Sequence, residues 1–298
     1  MVSESVLEEE FLEYFRTLDY AIAHGPNIAP GEPSGERSSY EEVVLRSRAQ
    51  SAVGHLNPMV PQEAREDALR KILRTPSPSL VDNNHQLHRM LVDGVDVEYR
   101  RADGRIAGDK VSLIDFENID NNDFLAVNQF TVVENGINRR ADIVLFINGL
   151  PLVLIELKNP ADENATIWTA FNQLQTYKMQ IPSLLRFNEA LIISDGLEAR
   201  IGTLTADRER FMPWPTMDGE NLASKTMLQS EVLVKGICDK RRLLDLIRHF
   251  IVFEENEKGQ RIKKMAAYHQ FHAVNKAIDE TVNASKPSGN KRIGVVWH

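Results

Sequence analysis

Residues 141–160 read ADIVLFINGLPLVLIELKNP. Two strongly apolar runs meet at Asn148-Gly149, yet the first begins at Asp142 and the second ends in Glu156-Leu157-Lys158. Both runs have strand composition, and side chains alternate faces along a strand. Asp142 therefore shares a face with Val144 and Phe146, and Glu156 and Lys158 share one with Leu152 and Leu154. The opposite faces are equally apolar. One E-x-K at a strand end reads as solvated charge, but three charges closing two doubly apolar strands read as a site, because a buried carboxylate needs a partner or a metal.

Register decides whether these groups meet. A two-residue Asn148-Gly149 turn pairs positions summing to 297 and leaves Asp142 and Glu156 on different faces. A three-residue loop, Asn148 to Leu150, or an equivalent bulge, pairs positions summing to 298 and sets Asp142 opposite Glu156. The expectation is the odd loop or the bulge. Two facing carboxylates suit a hard divalent cation such as Mg²⁺, with the backbone carbonyl of Leu157 as a further ligand. Lys158 beside them can orient or deprotonate a water and stabilise charge developing on phosphate oxygens. Phosphodiester hydrolysis needs that set of parts.

Strand-like runs extend to either side: KVSLIDFE from Lys110 and FLAVNQFTVV from Phe124 before the central pair, EALIISD and EARIGTLT after it. Helical periodicity marks residues 3–17, about 40–53, 61–73, 164–180, 240–253 and 263–282. Residues 25–39 hold nine Gly, Pro or Ser in fifteen and read as a surface loop. Helices around a central meander predict a mixed α/β architecture, a central mixed sheet flanked by helices. The EENEKGQ stretch at 254–260 marks a boundary.

At 298 residues and 42% hydrophobic, the chain can bury a sizeable core. The acidic N-terminus is no export signal, and the apolar stretch at 143–155 is broken by Asn148, Gly149 and Pro151, too short to span a membrane. A single cysteine, Cys238, excludes a disulfide framework and makes the cytoplasm the default compartment. Residues 261–298 hold seven Lys/Arg against two Asp/Glu, so the net charge of −8 leaves −13 on the first 260. That part would repel a polyanion, and something else must deliver a nucleic-acid substrate. His85-x-x-His88 and His269-x-x-His272 lack a third zinc ligand in a recognisable pattern.

Asp142, a fourteen-residue interval and Glu156-Leu157-Lys158 resemble the PD-(D/E)XK nuclease superfamily, with Ala141 where the motif has proline. The surrounding ADIVLFINGLPLVLIELKNP resembles the nuclease region of the restriction (motor) subunit of type I restriction-modification enzymes. SESVLEEEFL resembles that family's first helix, in which a glutamate can approach the metal; Glu8 is the match, and a solvated acidic helix face explains it equally well. Gln173 and Tyr177 match a Q-x-x-x-Y that supports such sites or contacts DNA, and they lie one turn apart on a helix. Tyr268-His269-Gln270 resembles an adenine-recognising motif, with Gln270 as the nucleotide-binding residue, and RIGVVWH resembles the strand before a phosphate-binding loop that the sequence does not reach.

The resemblance implies a PD-(D/E)XK endonuclease domain over 1–255 and, over 256–298, the start of a RecA-like helicase domain. It implies Mg²⁺-dependent cleavage of double-stranded DNA by Asp142, Glu156 and Lys158, within an N-terminal piece of a longer ATP-driven translocase. Methyltransferase and specificity subunits would be partners. The alternatives are a stand-alone repair or junction-resolving nuclease, opposed by the segment 261–298, and an inactive docking module, opposed by the intact Asp142, Glu156 and Lys158.

Overall fold

The computed structural model describes residues 4–101, 103–159 and 166–294. Helix α1 (Glu4–Thr17) buries the stripe Leu7, Phe11, Leu12 and Phe15, and β1 (Ala21–His24) leads into the Gly/Pro/Ser-rich loop. Helices α2 (Arg46–Leu56), α3 (Gln62–Ile72) and α4 (Leu80–Asp93) follow, then a hairpin of β2 (Val95–Arg100) and β3 (Ile106–Val111). The strands β4 (Phe124–Glu134), β5 (Ile137–Ile147) and β6 (Leu150–Leu157) form a meander. Helix α5 (Ile167–Gln180) and the short α6 (Pro182–Leu185) lead to β7 (Ala190–Ser194) and β8 (Ala199–Gly202). Then come α7 (Gln229–Ile237), α8 (Lys240–His249), the hairpin of β9 (Ile251–Glu255) and β10 (Arg261–Met265), and α9 (Tyr268–Ser285).

The central sheet runs β1-β4-β5-β6-β7-β8, parallel at β1/β4 and β6/β7 and antiparallel elsewhere. A parallel β6/β7 pair needs a crossover, which α5 and α6 supply. Every residue of β6 and β7 is buried, as expected of strands covered on both faces. This is the mixed α/β architecture expected, and it is compatible with a nuclease-like core. Among the described residues, no helix is long and apolar enough to cross a membrane.

Several element bounds differ from the sequence reading. The helix expected from Tyr40 begins at Arg46, because Tyr40 O and Leu45 N are engaged by Val133 N and Gly149 O of the sheet. The KVSLIDFE strand ends at Val111: Asp115 accepts the amides of Glu117 and Asn118 and turns the chain. The EARIGTLT strand stops at Gly202, and the hydroxyls of Thr203 and Thr205 beyond it donate to Lys263 O. The helix expected through Phe253 ends at His249, and the β-branched run after it pairs with β10, which takes the residues where the last helix was expected to begin. Helix α4, strand β2 and helix α7 had no counterpart in that reading. Of the RIGVVWH strand, Arg292–Gly294 form no strand and residues 295–298 lie outside the described residues.

The division expected between 255 and 256 falls in the turn of the β9/β10 hairpin. Lys263 of β10 is fully buried, its ammonium 2.9 Å from Glu189 Oε2, 3.0 Å from Asn84 Oδ1 and 2.7 Å from Asn188 O. His88 Nδ1 lies 2.8 Å from the same Glu189 oxygen. Residues through Met265 are thereby tied into the core that precedes them.

Candidate active site

Asn148 (φ 53°) and Gly149 (φ 74°) both take the left-handed conformation of a two-residue hairpin turn. Ile147 pairs with Leu150 and Phe146 with Pro151, the sum of 297 that would separate the carboxylates. The register then shifts: Leu145 pairs with Val153 and Ile143 with Ile155, summing to 298, so Leu152 is the extra residue of a bulge in β6. The bulge, not a three-residue loop, resolves the parity problem. Carried one residue further, the ladder sets Asp142 opposite Glu156. Leu152 O is taken by Glu189 N at 2.6 Å, so the strand that follows β6 holds the bulge.

Asn148 is buried, its side chain accepting from Asp123 N and donating to Leu113 O and Asn122 Oδ1. A Cβ at Gly149 would lie 2.5 Å from Leu45 O and 2.8 Å from Ala49 N. Gly149→Ala is therefore expected to cost at least the ~1–3 kcal/mol of a strained backbone, read as a lower urea midpoint. A midpoint equal to wild type would show that the turn does not need glycine.

A second distortion faces Asp142 from the other side. Asn128 pairs with Ile143 and Phe130 with Ala141, which leaves Gln129 across from Asp142, and Gln129 has φ 53°. The resulting bend brings the Phe130 ring within 5.2 Å of Phe146, five residues along β5 from Phe130's own partner. Gly25 permits it, since a Cβ there would lie 2.4 Å from Gln129 O. The site therefore sits at a sharp fold in the sheet.

Asp142 Oδ2 accepts from Leu157 N at 2.7 Å, and Glu156 Oε1 accepts from Lys158 Nζ at 2.8 Å. Glu156 is fully buried and its Oε2 has no hydrogen-bond partner among the described residues. Burial first, and then the neighbouring Asp142, push the Glu156 carboxyl well above the usual carboxylate range, against the pull of Lys158. A buried oxygen without a donor, pressed against a second carboxylate, suits a cation between the two. Tyr177 donates to Arg140 O at 2.9 Å and accepts from Gln173 Nε2 at 2.7 Å. Burial first, and Glu156 second, raise its phenol pKa. Asp142, Glu156, Lys158, Gln173 and Tyr177 thus come together although 35 residues separate the first from the last.

A family model described as the N terminus of type I restriction enzyme R proteins matches residues 1–210. The chain belongs to this family. It is 40% identical over 301 residues to the type I restriction enzyme HindI endonuclease subunit of Haemophilus influenzae, an alignment covering 100% of this chain and 28% of that subunit. It is 31% identical over 315 residues to the putative MjaIXP endonuclease subunit of Methanocaldococcus jannaschii, covering 98% of this chain and 29% of the relative. The chain thus spans under a third of the length of these relatives.

In this R-protein N-terminal region, Glu8 is buried on the β4 side of the site. Its Oε2 accepts from Asn128 Nδ2 at 3.0 Å and Gln129 Nε2 at 3.2 Å, and Asn128 Oδ1 meets His24 Nδ1 at 2.9 Å. Among the described residues, no group of three or more His, Cys, Asp or Glu is placed to hold one metal. Asn128 and Gln129 escaped the sequence reading; the polar pair interrupting FLAV-NQ-FTVV was the available signal. Gln270 caps the last helix, its Oε1 accepting from Ala267 N at 3.0 Å. Arg139 donates to Gln180 Oε1.

Proposed function

We propose that this chain is the nuclease part of a type I restriction enzyme R protein and hydrolyses phosphodiesters of double-stranded DNA. The observation that carries the reading is the buried Glu156 Oε2, which has no donor among the described residues and lies beside Asp142 and the Lys158 pair. Asp142 and Glu156 would hold Mg²⁺, with the Leu157 carbonyl as a further ligand, and a bound hard cation supplies Lewis-acid stabilisation of the scissile phosphate. Glu8 is placed to steer the Asn128 and Gln129 amides at the rim of that site.

Lys158 is held by Glu156 within reach of the same space. Its ammonium orients the attacking water and offsets negative charge on the phosphate oxygens as the leaving oxygen departs in line. Tyr177, tied to the Arg140 carbonyl, fixes α5 against the carboxylate pair, and Gln173 keeps the phenol oriented. ATP-driven translocation would reside in a motor part beginning within 256–298, with Gln270 at its nucleotide. Methyltransferase and specificity subunits would supply sequence recognition, in the cytoplasm.

The test is plasmid cleavage by the assembled enzyme with ATP and Mg²⁺. Lys158→Ala is expected to lower the cleavage rate by about 10²–10³ while leaving ATP consumption on target DNA unchanged. Full restriction by that variant would refute the assignment.

A further inference from the structure

Paired residues on adjacent strands project to the same face, and Glu156 pairs with Ile193, which pairs with Arg200. Arg200 therefore stands on the face of the sheet that carries the catalytic carboxylate, two strands away, or about 10 Å between Cα atoms. Its guanidinium lies over the Trp168 ring of α5, 5.4 Å from the centroid. Arg208 lies over the same ring at 5.5 Å and donates to Asn172 Oδ1 at 3.2 Å. Two positive groups thus share one indole on a chain of net charge −8.

We propose that Arg200 and Arg208, positioned by Trp168, grip backbone phosphates of duplex DNA on the β8 side of the carboxylate pair. The proposal rests on the nuclease reading. On the β4 side Glu8 is buried and holds the Asn128 and Gln129 amides, whereas on the β8 side Arg200 and Arg208 are partly or fully exposed, so the backbone leaves the site across β7 and β8. A span of about 10 Å is about three base-pair steps at about 3.4 Å each along the duplex axis.

Stacking leaves the guanidinium edges open. Arg200 bonds Phe211 O at 3.3 Å and lies 3.8 Å from Glu198, while the Arg208 guanidinium bonds only Asn172 among the described residues. Each of these planar forks retains N–H groups in the geometry that matches phosphate oxygens. Guanidinium contacts to phosphate oxygens carry no base information, so the contact reads backbone and not sequence. The loop Asp207-Arg208-Glu209-Arg210 carries no net charge, so its affinity comes from placement rather than excess charge.

The experiment measures binding of this 298-residue chain to a fluorescein-labelled 20-base-pair duplex in Ca²⁺ across a salt series. The double variant Arg200→Gln/Arg208→Gln is expected to bind at least tenfold more weakly, with the slope of log K against log salt reduced by about 2, near 0.9 for each phosphate no longer neutralised. Arg200→Lys/Arg208→Lys is expected to restore the slope, and two duplexes of unrelated sequence to behave alike. An unchanged slope in the Gln variant, a Lys variant no better than the Gln one, or no binding by the parent chain overturns the proposal. If the double variant unfolds, Arg208→Gln alone decides, with an expected slope loss of about 1. An unchanged slope alongside lost cleavage in Lys158→Ala sinks the phosphate grip and spares the nuclease. A lost slope alongside full cleavage in Lys158→Ala does the reverse.

Discussion

Asp142→Asn is expected to lower DNA cleavage by about 10²–10³ or more while making the metal-free protein more stable. The asparagine Oδ1 can still accept from Leu157 N, so the hydrogen bond that Asp142 makes is kept. What disappears is the repulsion between facing carboxylates, which together with burial already raises the Glu156 carboxyl. Relieving it is worth on the order of 1 kcal/mol even with strong screening, or roughly 2–4 °C in Tm for a domain of this size. Wild type is expected to gain Tm with millimolar Mg²⁺, because a cation that binds only the folded state stabilises it; the variant is expected to gain little. Calorimetry with and without Mg²⁺ checks both halves. A wild-type Tm indifferent to the ion would sink the metal reading, and undiminished cleavage by the variant would remove Asp142 from the chemistry.

Lys263→Ala is expected to be the most destabilising single change, at about 3–5 kcal/mol, the usual cost of stripping one partner from a buried ion pair. The ammonium and the Glu189 carboxylate are both fully buried, and Asn84, Asn188 and His88 complete the cluster. Burial alone would raise the Glu189 carboxyl, but Lys263 and then His88 hold it below its usual value of 4.5. A depressed acid pKa means the unfolded chain takes up protons first. The contribution is therefore complete above about pH 4.5 and lost as pH falls through the lower folded value. Urea unfolding from pH 7 to 3 should show a steep acid limb in wild type and a flatter one in Lys263→Met. Equal acid limbs would show that the pair does not set the acid response.

The hairpin at 141–160 shows how far local pattern reaches. Apolar content, Asn-Gly and the charged ends identified two adjacent strands and named Asp142, Glu156 and Lys158 from residue types alone. Alternation even exposed the one-residue conflict, because a period-two pattern changes face with every unit of register. It could not choose between a longer loop and a bulge, since both give the same sum beyond Val153. The structure chooses the bulge because Leu152 O is claimed by Glu189 N across a crossover of more than thirty residues. Elsewhere, residues 263–265 were read as the start of a helix, and they form strand instead because pairing with β9 outweighs their own helical preference.

What the sequence by itself determined is therefore the candidates: which carboxylates and which lysine close two strands that are otherwise apolar on both faces. What only the tertiary structure decided is their meeting and their surroundings. The left-handed bend at Gln129 needs Gly25, more than a hundred residues away, to leave room for its carbonyl. Arg200 reaches the row of Glu156 only because β7 lies parallel to β6 with β8 beside it. Those placements come from long-range hydrogen bonds and packing, whose energies depend on partners that no local window contains.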